Sequence, residues 1–158
     1  MPRSDHFCVV ELTSLSWPAN LNIPLQRFRL FVAADTTGCA PEALAEFADA
    51  ALKQGMVYFC AWGHDCERFH DIVDEVIVED DLGKRLFVGP NPKDTVMTTW
   101  HERDTLDEAL DFFFNLACPT DGFVVDSDCW LAICVNNSEW ASIIRRRPEV
   151  TSLPENAG

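Results

Sequence analysis

The feature that most constrains this sequence is an alternation. Short, nearly continuous apolar runs take turns with longer segments whose apolar residues recur every three or four positions. Phe28–Ala34 (FRLFVAA), Met56–Trp62 (MVYFCAW) and Trp130–Val135 (WLAICV) are the apolar runs, and Thr95–Trp100 reads as another strand. Runs of this kind are expected of strands covered on both faces. Between them, Pro41–Gln54 reads as a helix with Pro near its first position, Gly55 just past its end, and Leu44, Phe47, Ala48, Ala51 and Leu52 on one face. Cys66–Asp74 reads as a short helix burying Phe69, Ile72 and Val73, and Val76–Val78 as a short strand. Thr105 and Glu108 form a capping-box pattern opening a helix that runs to about Ala117, before Pro119. Its expected apolar face is Leu106, Ala109, Leu110, Phe113, Leu116 and Ala117. Ser138–Arg147 reads as a last helix, ended by Pro148.

Strands alternating with helices imply parallel β-α-β units with right-handed crossovers. The expected product is an α/β three-layer sandwich with a mostly parallel sheet of four to five strands. Residues 28–148 make one such domain, which suits a chain of 158 residues. Residues 1–27 read as an irregular lead-in, in which Phe7–Leu15 could add an edge strand. Residues 149–158 read as a flexible tail. Gly83, Gly89, Pro90 and Pro92 mark turns in a more exposed stretch.

Charge narrows the function. Residues 42–128 hold 20 of the 26 acids but only 6 of the 12 bases, so the middle of the chain carries the whole net charge of −14. Binding nucleic acid or an anionic membrane needs clustered Lys and Arg, and both are excluded as expectations. The acids include Glu79-Asp80-Asp81, which together suggest a docking face for a basic protein partner. The alternative is a solvated face. Arg145–Arg147 is the one basic run, expected to complement the carbonyl end of the last helix. No run of about 18 apolar residues spans a membrane. The N-terminus lacks secretory features, so the expected location is cytoplasmic. Seven cysteines without a CxxC motif read as reduced thiols.

In an open parallel sheet, ligands bind beyond the carboxyl ends of the strands. Four stretches fall there: residues 35–39 (DTTGC), 63–66 (GHDC), 101–102 (HE) and 136–138 (NNS). His64, Asp65, Cys66 and His101 are the catalytic candidates among them. Cys66, near a helix start, could be a lowered-pKa nucleophile, and His101 beside Glu102 a general base. Cys60-x3-His64-x-Cys66-x3-His70 has zinc-ligand residue types, with Cys66 and His70 one helical turn apart. The other reading is a buried strand cysteine beside a polar helix face. No GxSxG, Walker A, GxGxxG or HExxH pattern occurs. The residues Phe112-Phe113-Phe114 cover too much of a helix to share one core face, so one ring contacts a neighbouring element or is an exposed anchor.

The strand followed by DTTGCAPEALA and a helix resembles the FMN phosphate loop of flavodoxins, of the form T-x-T-G-x-T, with Ala40 where the last hydroxyl would be. The resemblance covers about ten residues. It implies a flavodoxin- or Rossmann-like sheet and a flavin phosphate held by Asp35, Thr36, Thr37 and Gly38, with Trp62 and Trp100 stacking on the ring. CAWGHDCERFHDIVDEV followed by TLDEALDFF looks like an uncharacterised group of small bacterial α/β proteins, a resemblance that brings no function. Segregated charge without a catalytic signature points to a non-enzymatic binding protein without a cofactor, of the immunity, antitoxin or defence-accessory kind. The alternative is a small enzyme or cofactor carrier, using flavin or metal, with its site at the strand ends.

Overall fold

A computed structural model describes residues 6–23, 27–80, 94–124 and 127–151, with the side chains of 148–151 excepted. Five strands form one sheet: β1 (Phe7–Leu12), β2 (Phe28–Ala33), β3 (Met56–Trp62), β4 (Met97–Trp100) and β5 (Trp130–Val135). Five helices accompany it: α1 (Pro41–Gln54), α2 (Cys66–Glu79), α3 (Leu106–Asn115), the single turn α4 (Asp121–Val124) and α5 (Ser138–Thr151). The strand order is β1-β5-β2-β3-β4, and every pairing is parallel. The lead-in therefore supplies an edge strand.

The order explains the layers. The chain steps from β1 to β2, β3 and β4 in one direction across the sheet, then returns to β5. A right-handed crossover that reverses direction must change face. Residues 13–23, α1 and α2 accordingly pack on one face, against Leu30, Phe59 and Leu131, and Trp17 sits on Phe28 and Phe47. The helices α3 and α5 pack on the other face, against Phe31, Tyr58 and Ala132. Alternate residues of β2, β3 and β5 enter opposite cores, which accounts for their unbroken apolar runs.

The boundaries of α1 follow its sequence signals: Pro41 opens it, and Gly55 closes it at φ 107° with its N–H on the Ala51 and Leu52 carbonyls. The capping box of α3 is formed, with Glu108 N–H on Thr105 Oγ1 and Thr105 N–H on Glu108 Oε2. Phe113 and Phe114 enter the core, while Phe112 turns aside to Tyr58 and His101.

Four expectations change. Val76–Val78 is not a strand but the end of α2, because Cys66, Phe69, Val73 and Ile77 keep helical spacing to Glu79 and outweigh a local β-branched triplet. Ile72 is only half-buried, and His70 takes a core-side place. Leu116 is 68% exposed because α3 ends at Asn115, and Phe114 replaces it in the core. The last helix passes Pro148 to Thr151, so Arg145 and Arg147 lie inside it. They pair with carboxylates of β1 and α3, Glu11 and Asp111. The turns expected at Gly83, Gly89, Pro90 and Pro92 lie outside the described residues.

Candidate functional site

All-parallel pairing places the carboxyl ends of the strands along one edge, and with them the four polar stretches. The loop after β2 is locked from within. Thr36 is buried, and its Oγ1 donates to the carbonyls of Asp65 (3.1 Å) and His64 (3.3 Å). Thr37 donates both its N–H (3.0 Å) and its hydroxyl (2.6 Å) to Asp35 Oδ1. Those two hydrogen bonds, aided by nearby His64, hold the Asp35 carboxyl below its ordinary range, so it is an anion at neutral pH. The hydroxyls and N–H groups of Thr36 and Thr37 thus already serve a carboxylate or a neighbouring carbonyl. Ala40 gives α1 no side-chain cap, and Glu42 adds a second acid in its first turn. These features do not fit a flavin phosphate. Trp62 packs edge-on against Trp140, with its indole N–H on the Asp104 carbonyl, and Trp100 lies over His70.

The β3 loop abuts the β2 loop. Gly63 has φ 116°, and a Cβ there would collide with the Ala34 carbonyl. Asp65 precedes α2 at φ 64°; its N–H donates to Glu102 Oε1 and its Oδ2 accepts from Arg68 Nε (2.7 Å). Arg68 Nη2 donates to the carbonyls of Thr36 (2.6 Å) and Cys39 (3.0 Å), stapling α2 to the β2 loop. Arg68 carries no catalytic signature in the sequence. Its one signal is electrostatic, since an arginine in the first turn of a helix opposes the macrodipole unless something else holds it there.

Cys60, Cys66, His70 and His101 are buried and structurally engaged. Burial pushes the Cys66 thiol up to about 11 and the Cys60 thiol up to about 12, the opposite of an activated nucleophile. Cys60 and Cys66 belong to cores on opposite faces of the sheet. Among the described residues no group of three or more His, Cys, Asp or Glu could hold a metal ion. His70 is buried, with Nδ1 3.0 Å from Asp71 Oδ1 and Nε2 2.9 Å from Thr98 Oγ1, whose hydroxyl donates to Asp74. His101 is buried, with Nδ1 2.9 Å from Asp104 Oδ2 and Nε2 3.0 Å from Thr99 Oγ1. His64 is exposed. The structure brings Asp35, His64 and Asp65 together; the His101 backbone lies beside the Cys66 thiol, while its imidazole turns to Thr99, Asp104 and Phe112.

The acidic triplet divides: Glu79 is exposed, Asp80 is buried at 4%, and Asp81 lies outside the described residues. A different acidic surface stands out. Trp100, 46% exposed at the end of edge strand β4, lines a cleft of about 420 Å³ with Glu67, Glu102, Arg103 and Asp104. Glu67, Asp71 and Asp74 follow one stripe of α2 beside it; Asp71 is exposed, and Asp74 is half-buried with its carboxylate on Thr98 and His70.

A second cleft, of about 390 Å³, opens where β5 lies between β1 and β2. Asp35, Thr13, Ser14, Asn136 and Trp140 are among its lining. Asn136, at φ 54°, turns the chain out of β5 while its N–H donates to the Leu12 carbonyl (2.7 Å). Asn137 Oδ1 then accepts from Trp140 N–H and starts α5.

The sequence model of a protein family described as a domain of unknown function (DUF7684) matches residues 8–147. No curated protein and no solved structure matches the chain. The chain belongs to that family.

Proposed function

We propose that this member of the DUF7684 family is a non-enzymatic binding protein that engages a basic protein partner through the acidic surface around Trp100. The observation that carries the reading is an exposed indole among carboxylates at a sheet edge. Glu67 and Glu102 line the cleft with Trp100, Asp71 and Asp74 flank the His70 ring on which Trp100 packs, and Arg103 is the counter-charge nearby. An aromatic face within a negative field suits an arginine or lysine side chain, which gains charge pairing and a cation–π contact together. Trp is also a residue type enriched at interface hot spots. The reading moves the docking centre from Glu79, Asp80 and Asp81 toward Trp100, because a buried Asp80 cannot meet a partner. The strand-end chemistry agrees with it: His70 and His101 have both ring nitrogens held, and the Cys66 thiol is neutral.

The test compares two charge-matched variants in binding an arginine-rich peptide, with an acidic peptide as control. Glu67→Gln/Asp71→Asn/Glu102→Gln removes three acids at the surface. Glu42→Gln/Glu46→Gln/Glu139→Gln removes three exposed acids elsewhere. The first variant, and Trp100→Ala alone, should weaken binding about tenfold or more, with strong salt dependence. Equal weakening by both triple variants would mean that net charge alone attracts the peptide, and would sink the proposal.

A further inference from the structure

We propose that the crevice between the carboxyl ends of β1, β5 and β2 is a binding site for a small organic cation, an amine or guanidinium compound. It is distinct from the Trp100 surface and does not depend on that reading.

The fold makes the crevice. After β1 and β2 the chain turns to one face of the sheet, and after β5 it turns to the other. Neighbouring strands whose chains diverge leave a gap at their carboxyl ends, where open α/β sheets bind ligands. Here the gap measures about 390 Å³, the size of a small-molecule pocket. Leu15, Val135 and Trp140 give it apolar walls, and Thr13, Ser14 and Asn136 bring hydrogen-bonding groups.

Its charge selects the ligand. Asp35 is the one charged side chain among the lining residues. Thr37 holds its Oδ1 from two directions, and no hydrogen-bond donor among the described residues meets Oδ2. A fixed carboxylate with a free oxygen asks for a donor, and a cationic donor gains most. An anion would meet the Asp35 carboxylate, and the β2-loop hydroxyls already serve that carboxylate and the Asp65 carbonyl. A Cβ at Gly38 would meet nothing within 4 Å, so the approach beside Asp35 is open.

The site is also rigid before any ligand arrives. Arg68, Thr36 and Gly63 fix the β2 loop from below, and Asn136 and Asn137 fix the β5 turn. A preformed polar constellation binds without a large ordering cost.

Calorimetric titration with agmatine and putrescine tests this, with butanol as the neutral probe and FMN as the anionic one. One cation should bind saturably per chain and perturb NMR signals of Thr13, Asp35, Asn136 and the Trp140 indole. Asp35→Asn keeps an oxygen to accept from Thr37 and should leave the fold intact by circular dichroism. It should weaken binding about ten- to a hundredfold, the effect of one charge-assisted hydrogen bond. Glu67→Gln/Glu102→Gln should change nothing. Absence of saturable binding of either cation up to about 10 mM would overturn the proposal. So would indifference to Asp35→Asn, preference for FMN, or shifts centred on Trp100.

Discussion

Replacing Gly63 by alanine probes the joint on which the candidate loops depend. Gly63 follows β3 at φ 116°, a conformation that L side chains rarely adopt. A Cβ there would fall inside the Ala34 carbonyl, with its carbon only 2.9 Å away. Neither atom is the tip of a flexible side chain, so backbone must move. Backbone strain of this kind costs about 1–3 kcal/mol. The movement also loosens the bond from Ala34 N–H to the Trp62 carbonyl (3.1 Å), worth about 1 kcal/mol. A loss of about 2–4 kcal/mol follows, or roughly 5–15 °C in Tm for a domain of this size. Urea unfolding followed by tryptophan fluorescence reads it, because Trp62 and Trp140 report from the same region. The expected result is a lower midpoint with an unchanged slope. A change below about 0.5 kcal/mol, the scale of an ordinary surface substitution, would refute the claim that Ala34 and Gly63 are in forced contact.

Three further outcomes can be measured. Arg68→Met leaves the Thr36 and Cys39 carbonyls without their donor and should cost about 1–3 kcal/mol, with faster amide exchange confined to the loops after β2 and β3. Thr105→Ala removes one half of the capping box and should cost about 1 kcal/mol by thermal unfolding, while Thr105→Ser should recover most of it. Burial raises the thiols of Cys60, Cys66 and Cys134 to about 12, 11 and 12, above the ordinary 9.0 of an unfolded thiol. A folded-state pKa above the unfolded one gives stability that is complete below the unfolded value and lost as pH rises toward the folded one. Each thiol then removes about 1.4 kcal/mol per pH unit above pH 9, so urea midpoints should fall steeply from there, and Cys60→Ala/Cys134→Ala should flatten the fall.

Most of the fold was legible because its signals are local. Pro41, Gly55, the Thr105–Glu108 box and three apolar runs each mark an element by local chemistry that needs no distant partner. The misreadings came where tertiary packing decides. Val76–Val78 looks like a strand alone, yet Ile77 continues a helical face begun at Cys66. Leu116 fits the α3 stripe by spacing but falls past the point where the helix stops. The site was legible as four positions and not as an arrangement. Parallel order explains why they share an edge, but nothing local tells that Thr36 faces inward onto the Asp65 carbonyl, or that Arg68 reaches two carbonyls. Those bonds join residues about thirty positions apart, and only the sheet brings them together.

The sign of that edge follows from the same residues. In open α/β sheets the helix N-termini at the strand ends carry partial positive charge, which commonly receives phosphate. Here the chain supplies the anions itself. Glu42 lies in the first turn of α1, Glu67 in that of α2, Asp107 and Glu108 in that of α3, and Glu139 in that of α5. Asp35 sits on the loop before α1, and Glu102 accepts the N–H of Asp65 just before α2. Each helix start that could attract a phosphate is therefore already compensated, and the negative charge left over faces outward. Acids at an edge whose fold usually receives anions suit both proposals, a basic side chain at Trp100 and a small amine at Asp35. One shared cause links the two proposals: neutralising the carboxylates of a helix start should weaken cation binding nearby and, by uncovering the dipole, raise the affinity of the same edge for phosphate.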